Sequence, residues 1–77
     1  MIRTRQTGRW PFDATWCGVC TVDGNTYETI NKGYRNEQAA INAALDMRDY
    51  IESLNKFGPL SEVARAEALR DYGYEKV

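Results

Sequence analysis

The stretch Asn36 to Leu54, NEQAAINAALDMRDYIESL, constrains the fold of this chain more than any other. At about 100° per residue, Leu54, Met47, Ala40, Ile51, Ala44, Ile41 and Leu45 fall on one side, and Gln38, Asn42, Asp46, Asp49 and Ser53 on the other. That pattern predicts a main helix over 36–55 with one wide apolar face. Asn36 is a favoured N-cap, and Glu37 complements the positive end of the helix dipole. Gly58 suits a left-handed cap, and Pro59 behind it cannot continue the helix. Arg48 falls inside the apolar arc and is expected to reach out past the edge of whatever the helix covers.

The preceding residues supply that surface. Thr15 to Val22, TWCGVCTV, are β-branched, aromatic or small, and Asp23-Gly24 is a strong hairpin signal because both positions tolerate positive φ. The return strand is Thr26 to Asn31, giving a hairpin over 15–31. In either register Trp16, Cys20 and Val22 share a face with Tyr27 and Thr29, while Cys17, Val19, Thr21, Glu28 and Ile30 occupy the other. The first set carries the larger apolar area and is expected beneath the helix. Ile2, Thr4 and Gln6 alternate with Arg3, Arg5 and Thr7, which suits an N-terminal edge strand with a basic face. Trp10-Pro11-Phe12-Asp13 then reads as a loop. A shorter second helix over 60–72 has a thin apolar stripe, chiefly Val63, Ala66 and Leu69, and is expected to pack through Phe57, Tyr72 and Tyr74. The expected class is α+β: one small domain over 1–77, with a two- or three-stranded antiparallel sheet covered by two helices.

Composition narrows function. The 77 residues include 43% hydrophobic ones, with no apolar run near the ~20 residues a membrane span needs. A soluble chain with no membrane partner is expected. The N-terminus lacks the apolar h-region of a secretory signal, so a cytoplasmic location is expected. The formal charge of −1 hides a split. Residues 1–35 hold Arg3, Arg5, Arg9, Lys32 and Arg35 against Asp13, Asp23 and Glu28, whereas residues 36–77 hold more acidic than basic side chains. Neither half has the strong single-sign charge of a nonspecific DNA binder or of a DNA mimic.

Catalytic parts are scarce. With two cysteines and no histidine, the chain lacks the ligands of a zinc site and the usual general base at neutral pH. No enzyme, cofactor or metal is expected. The sequence Ala14-Thr15-Trp16-Cys17-Gly18-Val19-Cys20 is similar to the active-site motif of thioredoxins, which implies an attacking thiolate at a helix N-terminus. Here TVDGNTYETI follows it, which is strand and hairpin chemistry. Residues three apart on a strand point to opposite faces, so the residues themselves predict two unpaired structural cysteines.

Two further resemblances bear on function. Trp16, Gly18, Cys20, Val22 and Gly24, then Gly33-Tyr34 and Ala39-Ala40, resemble the AP2-type and integrase arm-binding domains. In these a tryptophan-led sheet lies in the major groove, beneath an alanine-rich helix. The resemblance implies nucleic-acid contacts by Arg3, Arg5, Arg9, Trp10, Lys32 and Arg35. The pattern departs in its late glycine-aromatic corner and in a second strand, CGVCTV, that carries no basic residue. In size and hairpin-plus-helix architecture the chain is also similar to small phage and mobile-element inhibitors of anti-CRISPR type. That similarity implies a non-enzymatic inhibitor or regulator of a host protein or nucleoprotein complex, as monomer or homodimer. The aromatic surplus fits such a role, since tyrosine, tryptophan and arginine dominate interfaces. The corresponding contacts are the Tyr34/Arg35 corner and the Asp46/Asp49/Tyr50 edge of the main helix. A structural or adaptor subunit is the plainer alternative.

Overall fold

Asp23 and Gly24 take positive φ, 51° and 79°, which fixes a two-residue turn twisted to match its flanking strands. The computed structural model, which describes residues 1–8 and 14–77, places this turn between β2 (Trp16–Val22) and β3 (Asn25–Thr29). The register follows: Val22 faces Asn25, Thr21 faces Thr26, Cys20 faces Tyr27 and Val19 faces Glu28. An antiparallel β1 (Ile2–Gln6) lies on the other side of β2. β3 ends at Thr29 rather than at Asn31. Its hydroxyl accepts the Gly18 N–H at 3.1 Å and donates to the Asn31 carbonyl at 2.8 Å, so a side chain takes over from the ladder. The chain loops out and returns at Tyr34, which exchanges two backbone hydrogen bonds with Trp16.

Asn36 caps α1 (Glu37–Phe57), its side chain accepting the Ala39 N–H at 2.8 Å. Gly58 ends the helix in an unexpected way. Its φ is −81°, an ordinary extended value rather than a left-handed one. Glycine is needed there for space, because a Cβ would lie 2.5 Å from the Leu54 carbonyl oxygen, which accepts the Gly58 N–H. Ser61 caps α2 (Glu62–Asp71), and Gly73, with φ of 89°, turns the chain into β4 (Tyr74–Lys76). β4 pairs antiparallel with β3, so the sheet runs β1-β2-β3-β4. The α+β class holds, but the sheet has four strands, not the two or three expected.

The face expected beneath α1 is the one it covers. Cys20, Val22 and Tyr27 pack with Ala44, Met47, Ile51 and Leu54 of α1 and Leu69 of α2. Gly18 lets the layers close: a Cβ there would sit 2.6 Å from the Ala40 carbonyl oxygen. Two expectations need correction. Ile41 and Leu45 are half-buried, and the buried stripe is Ala40, Ala44, Met47, Ile51 and Leu54, rotated toward Tyr50. α2 and β4 extend the core on that side, with Ala68 and Tyr74 packed against it. Phe57 does not help to seat α2, being 84% exposed, and Val63 is also exposed. Leu69 is the one buried residue of α2. Arg65 holds the helix instead, donating to the Leu54 carbonyl at 3.2 Å and the Asn55 amide oxygen at 2.5 Å.

Candidate functional site

Tyr50, on the flank of α1, meets Tyr72 with ring centroids 4.1 Å apart and Tyr74 at 5.9 Å. Its hydroxyl donates to the Ala68 carbonyl at 3.4 Å, so the ring is half-buried and joins α1 to α2. Tyr72 and Tyr74 stack at 6.5 Å. Gly73 places these two rings in one patch by turning the chain between them. Burial pushes the Tyr74 hydroxyl above the usual phenol range, and Asp46, Tyr34, Tyr50 and Tyr72 push it further in the same direction. Burial likewise raises the Tyr50 hydroxyl, helped by Tyr72 and Asp71. Tyr50, one of the residues singled out in the sequence, thus meets Tyr72 and Tyr74 directly, while Tyr34 and Asp46 act on the Tyr74 hydroxyl through their charge. Tyr72 is 64% exposed and forms the outer part of this acidic, aromatic surface.

The remaining members of the two regions expected as contacts stand apart from the rings. Arg35 is exposed beside the Trp16–Tyr34 bridge. Asp49 is exposed and accepts from Arg48 at 3.2 Å. Tyr72 and Tyr74 were expected as packing residues only. The signal that could have placed them here is Tyr72-Gly73-Tyr74 itself, two rings flanking a residue free to take positive φ. A second surface was also missed. Phe57, Leu60 and Val63, which lie within seven residues of one another in the sequence, are 84%, 100% and 71% exposed at the α1–α2 connection.

The opposite face of the sheet holds the residues implied by the nucleic-acid resemblance. Arg5 pairs with Glu28 at 2.8 Å, and Lys32 bridges Glu28 at 3.0 Å and Glu75 at 2.9 Å. Glu28 and Glu75 lie directly opposite on β3 and β4, a repulsive pair that the Lys32 ammonium offsets. This ionic run lies across Cys17 and Val19, which are fully buried. Arg3 is exposed on the same face. Arg9 and Trp10 lie outside the described residues. Two of the implied phosphate contacts, Arg5 and Lys32, are therefore engaged by carboxylates.

The Arg5 hydrogen bond, with help from Lys32, holds the Glu28 carboxyl below the usual carboxylate range, although burial acts in the opposite direction. A depressed folded value stabilises the fold above the ordinary carboxylate value of roughly 4.3, and that contribution disappears as pH falls through the folded value. In urea melts, wild type should exceed Glu28→Gln in midpoint at neutral pH, and the gap should close as the solution is acidified. A gap independent of pH would show that the ion pairs contribute nothing.

Cys17 and Cys20 are free and buried on opposite faces of β2. Burial raises the Cys20 thiol above its ordinary value, while the N-terminal amine and Arg48 counter this only in part. That is the reverse of an activated thiolate. Among the described residues no three His, Cys, Asp or Glu side chains come together to hold a metal ion. No described helix is long and apolar enough to cross a membrane. Comparison with models of protein families, with curated proteins and with solved structures gave no match.

Proposed function

We propose that this chain is a protein-binding module acting as an inhibitor or regulator of a protein or nucleoprotein complex. Its contact surface would be the tyrosine cluster at the α1–α2–β4 edge. The observation that carries this reading is the exposed Tyr72 ring, tilted by 32° against half-buried Tyr50 and stacked with half-buried Tyr74, whose hydroxyl feels the Asp46 charge. Rings already held by their neighbours lose little freedom on binding, and rigid tyrosines of this kind are common interface anchors. Asp46 and Asp71 give the surface an acidic rim, which favours a basic partner. The Arg5 and Lys32 ion pairs on the opposite face make direct nucleic-acid contact the weaker alternative.

Immobilised wild-type protein should retain one stoichiometric partner from a lysate of the cells in which it acts. Tyr72→Ala and Asp46→Lys, both at exposed positions, should fold normally by circular dichroism and lose that partner. Retention of the same partner by both variants, or of none by wild type, would overturn the assignment.

A further inference from the structure

On the other side of α2 lies a groove bordered by Leu69 of the core and Tyr74 of the tyrosine surface. Ala66, Leu69 and Arg70 form one of its walls, and three consecutive β4 residues, Tyr74, Glu75 and Lys76, form the opposite wall. Side chains alternate along a strand, so a cavity that touches three in a row lies at the strand's edge and reaches its backbone. A second cavity shares Ala66, Leu69 and Lys76 with the first and continues toward Tyr27, Asn25, Glu62 and Arg65. Their volumes are about 210 and 270 Å³, below the roughly 300 Å³ at which small-molecule sites begin. They suit single side chains.

The β4 backbone is open along this groove. The Ile30 N–H donates to Gly73 and the Val77 N–H to Thr26, so the residues of β4 that bond to β3 are the odd-numbered ones. Tyr74 and Lys76 therefore point their N–H and C=O groups away from β3, at the free edge of the sheet. Among the described residues no backbone group pairs with them. Charge selects what can pair there. Glu75 is held by Lys32 on the opposite face, and Arg65 is committed to the end of α1. Of the remaining charges, Glu62 lines only the second cavity, while Arg70 and Lys76 are exposed at the first. A second copy of the chain fits poorly, because antiparallel β4–β4 pairing about Glu75 would set two Glu75 carboxylates opposite each other and double the Arg70 and Lys76 charge.

We infer that the β4 edge and the 66/69/70 face of α2 form a strand-addition site for an extended acidic peptide segment. The segment hydrogen-bonds to Tyr74 and Lys76, as in other edge-strand recognition. An apolar side chain enters the cavity over Leu69 and Ala66. Acidic side chains two residues before and after it lie on the same face of the added strand and meet Arg70 and Lys76. This site shares only Tyr74 with the tyrosine surface, so either reading can fail alone.

The test is a titration of ¹⁵N-labelled protein with the acetylated, amidated peptide Thr-Glu-Thr-Val-Thr-Glu-Thr, followed by amide shifts. Saturable shifts are expected at Tyr74, Lys76, Leu69 and Arg70, with affinity at least about tenfold weaker in the Arg70→Glu and Lys76→Glu variants. The peptide with lysine in place of glutamate should not bind. A peptide N-methylated at every amide from the first glutamate to the second, which removes the donors facing β4 in either strand direction, should not bind. Absence of saturable shifts, equal binding of the acidic and basic peptides, or undiminished binding by both charge variants would each overturn the proposal. Concentration-dependent shifts of the β4 amides without peptide would instead assign the edge to a second copy and overturn it too.

Discussion

Ile51→Asp is expected to abolish the cooperative fold. Ile51 is fully buried in the cluster formed by Cys20, Val22, Tyr27, Met47 and Leu69. A carboxylate there would find no described cation within the cluster, and burying even a neutral polar group without a partner costs roughly 2–7 kcal/mol. Domains commonly have only about 5–15 kcal/mol of stability, and a chain this short belongs at the lower end. Circular dichroism should show loss of helical signal and of any sigmoidal melt. Ile51→Val, which removes one methyl group, should cost about 0.5–1.5 kcal/mol and melt cooperatively. Leu45→Asp, on the half-buried rim of the same helix, should be the milder of the two aspartates. If Ile51→Asp melted like wild type, the assignment of the buried stripe to Ala40, Ala44, Met47, Ile51 and Leu54 would be wrong.

The second large effect is expected at Gly18. Its φ is not of the left-handed kind, so conformation alone would tolerate alanine, and reduced freedom of the unfolded chain would favour it by about 0.4–1 kcal/mol. Packing reverses the sign. The new Cβ would lie 2.6 Å from the Ala40 carbonyl oxygen and 3.0 Å from the Ala44 nitrogen and Cβ. These atoms belong to α1, so relief requires lifting the helix away from β2. Overpacking of this kind costs about 1–3 kcal/mol, and each kcal/mol lowers Tm by roughly 4–8 °C in a domain this small. Gly33 provides the control, since the nearest atom to its added Cβ is the Asn31 side-chain oxygen at 3.6 Å. Gly33→Ala should leave Tm unchanged or slightly raised. Equal Tm for Gly18→Ala and wild type would mean that α1 is not seated on Gly18.

The hairpin and α1 were legible because local chemistry alone specifies them. Asp23-Gly24 admits few backbone conformations, and Asn36 caps a helix whose apolar period runs unbroken to Leu54. β4 was not legible. Tyr74, Glu75 and Lys76 carry no strand pattern, and only pairing with Thr29, Glu28 and Tyr27 makes them a strand. That gap displaced other readings. With α2 and β4 unplaced on the Tyr50 side, the apolar arc of α1 was centred too near Ile41 and Leu45. The same gap hid the aromatic patch. Tyr50 was picked out from its own surroundings, but what makes it part of an aromatic patch is Tyr74, which β4 carries into place. Phe57 was expected to pack because it is large and apolar, yet the sharp exit at Gly58 leaves it outside. Whether any of these residues binds a partner was not legible, because neither charge nor spacing distinguishes a ring that seats a helix from one that docks a protein.

One row of the sheet also fixes where residues 1 and 77 lie. Met1 accepts from the Thr21 N–H, Thr21 faces Thr26, and Thr26 accepts from the Val77 N–H. Residues 1 and 77 therefore share one end of the sheet, separated by three strand spacings, or about 14 Å. Roughly five extended residues bridge such a gap. A tether of that length would join residues 1 and 77 across that end, beside the Asp23 carboxylate that accepts from the Asn55 amide of α1 at 3.0 Å, and the exposed Asp23-Gly24 turn there offers a place to reopen the ring.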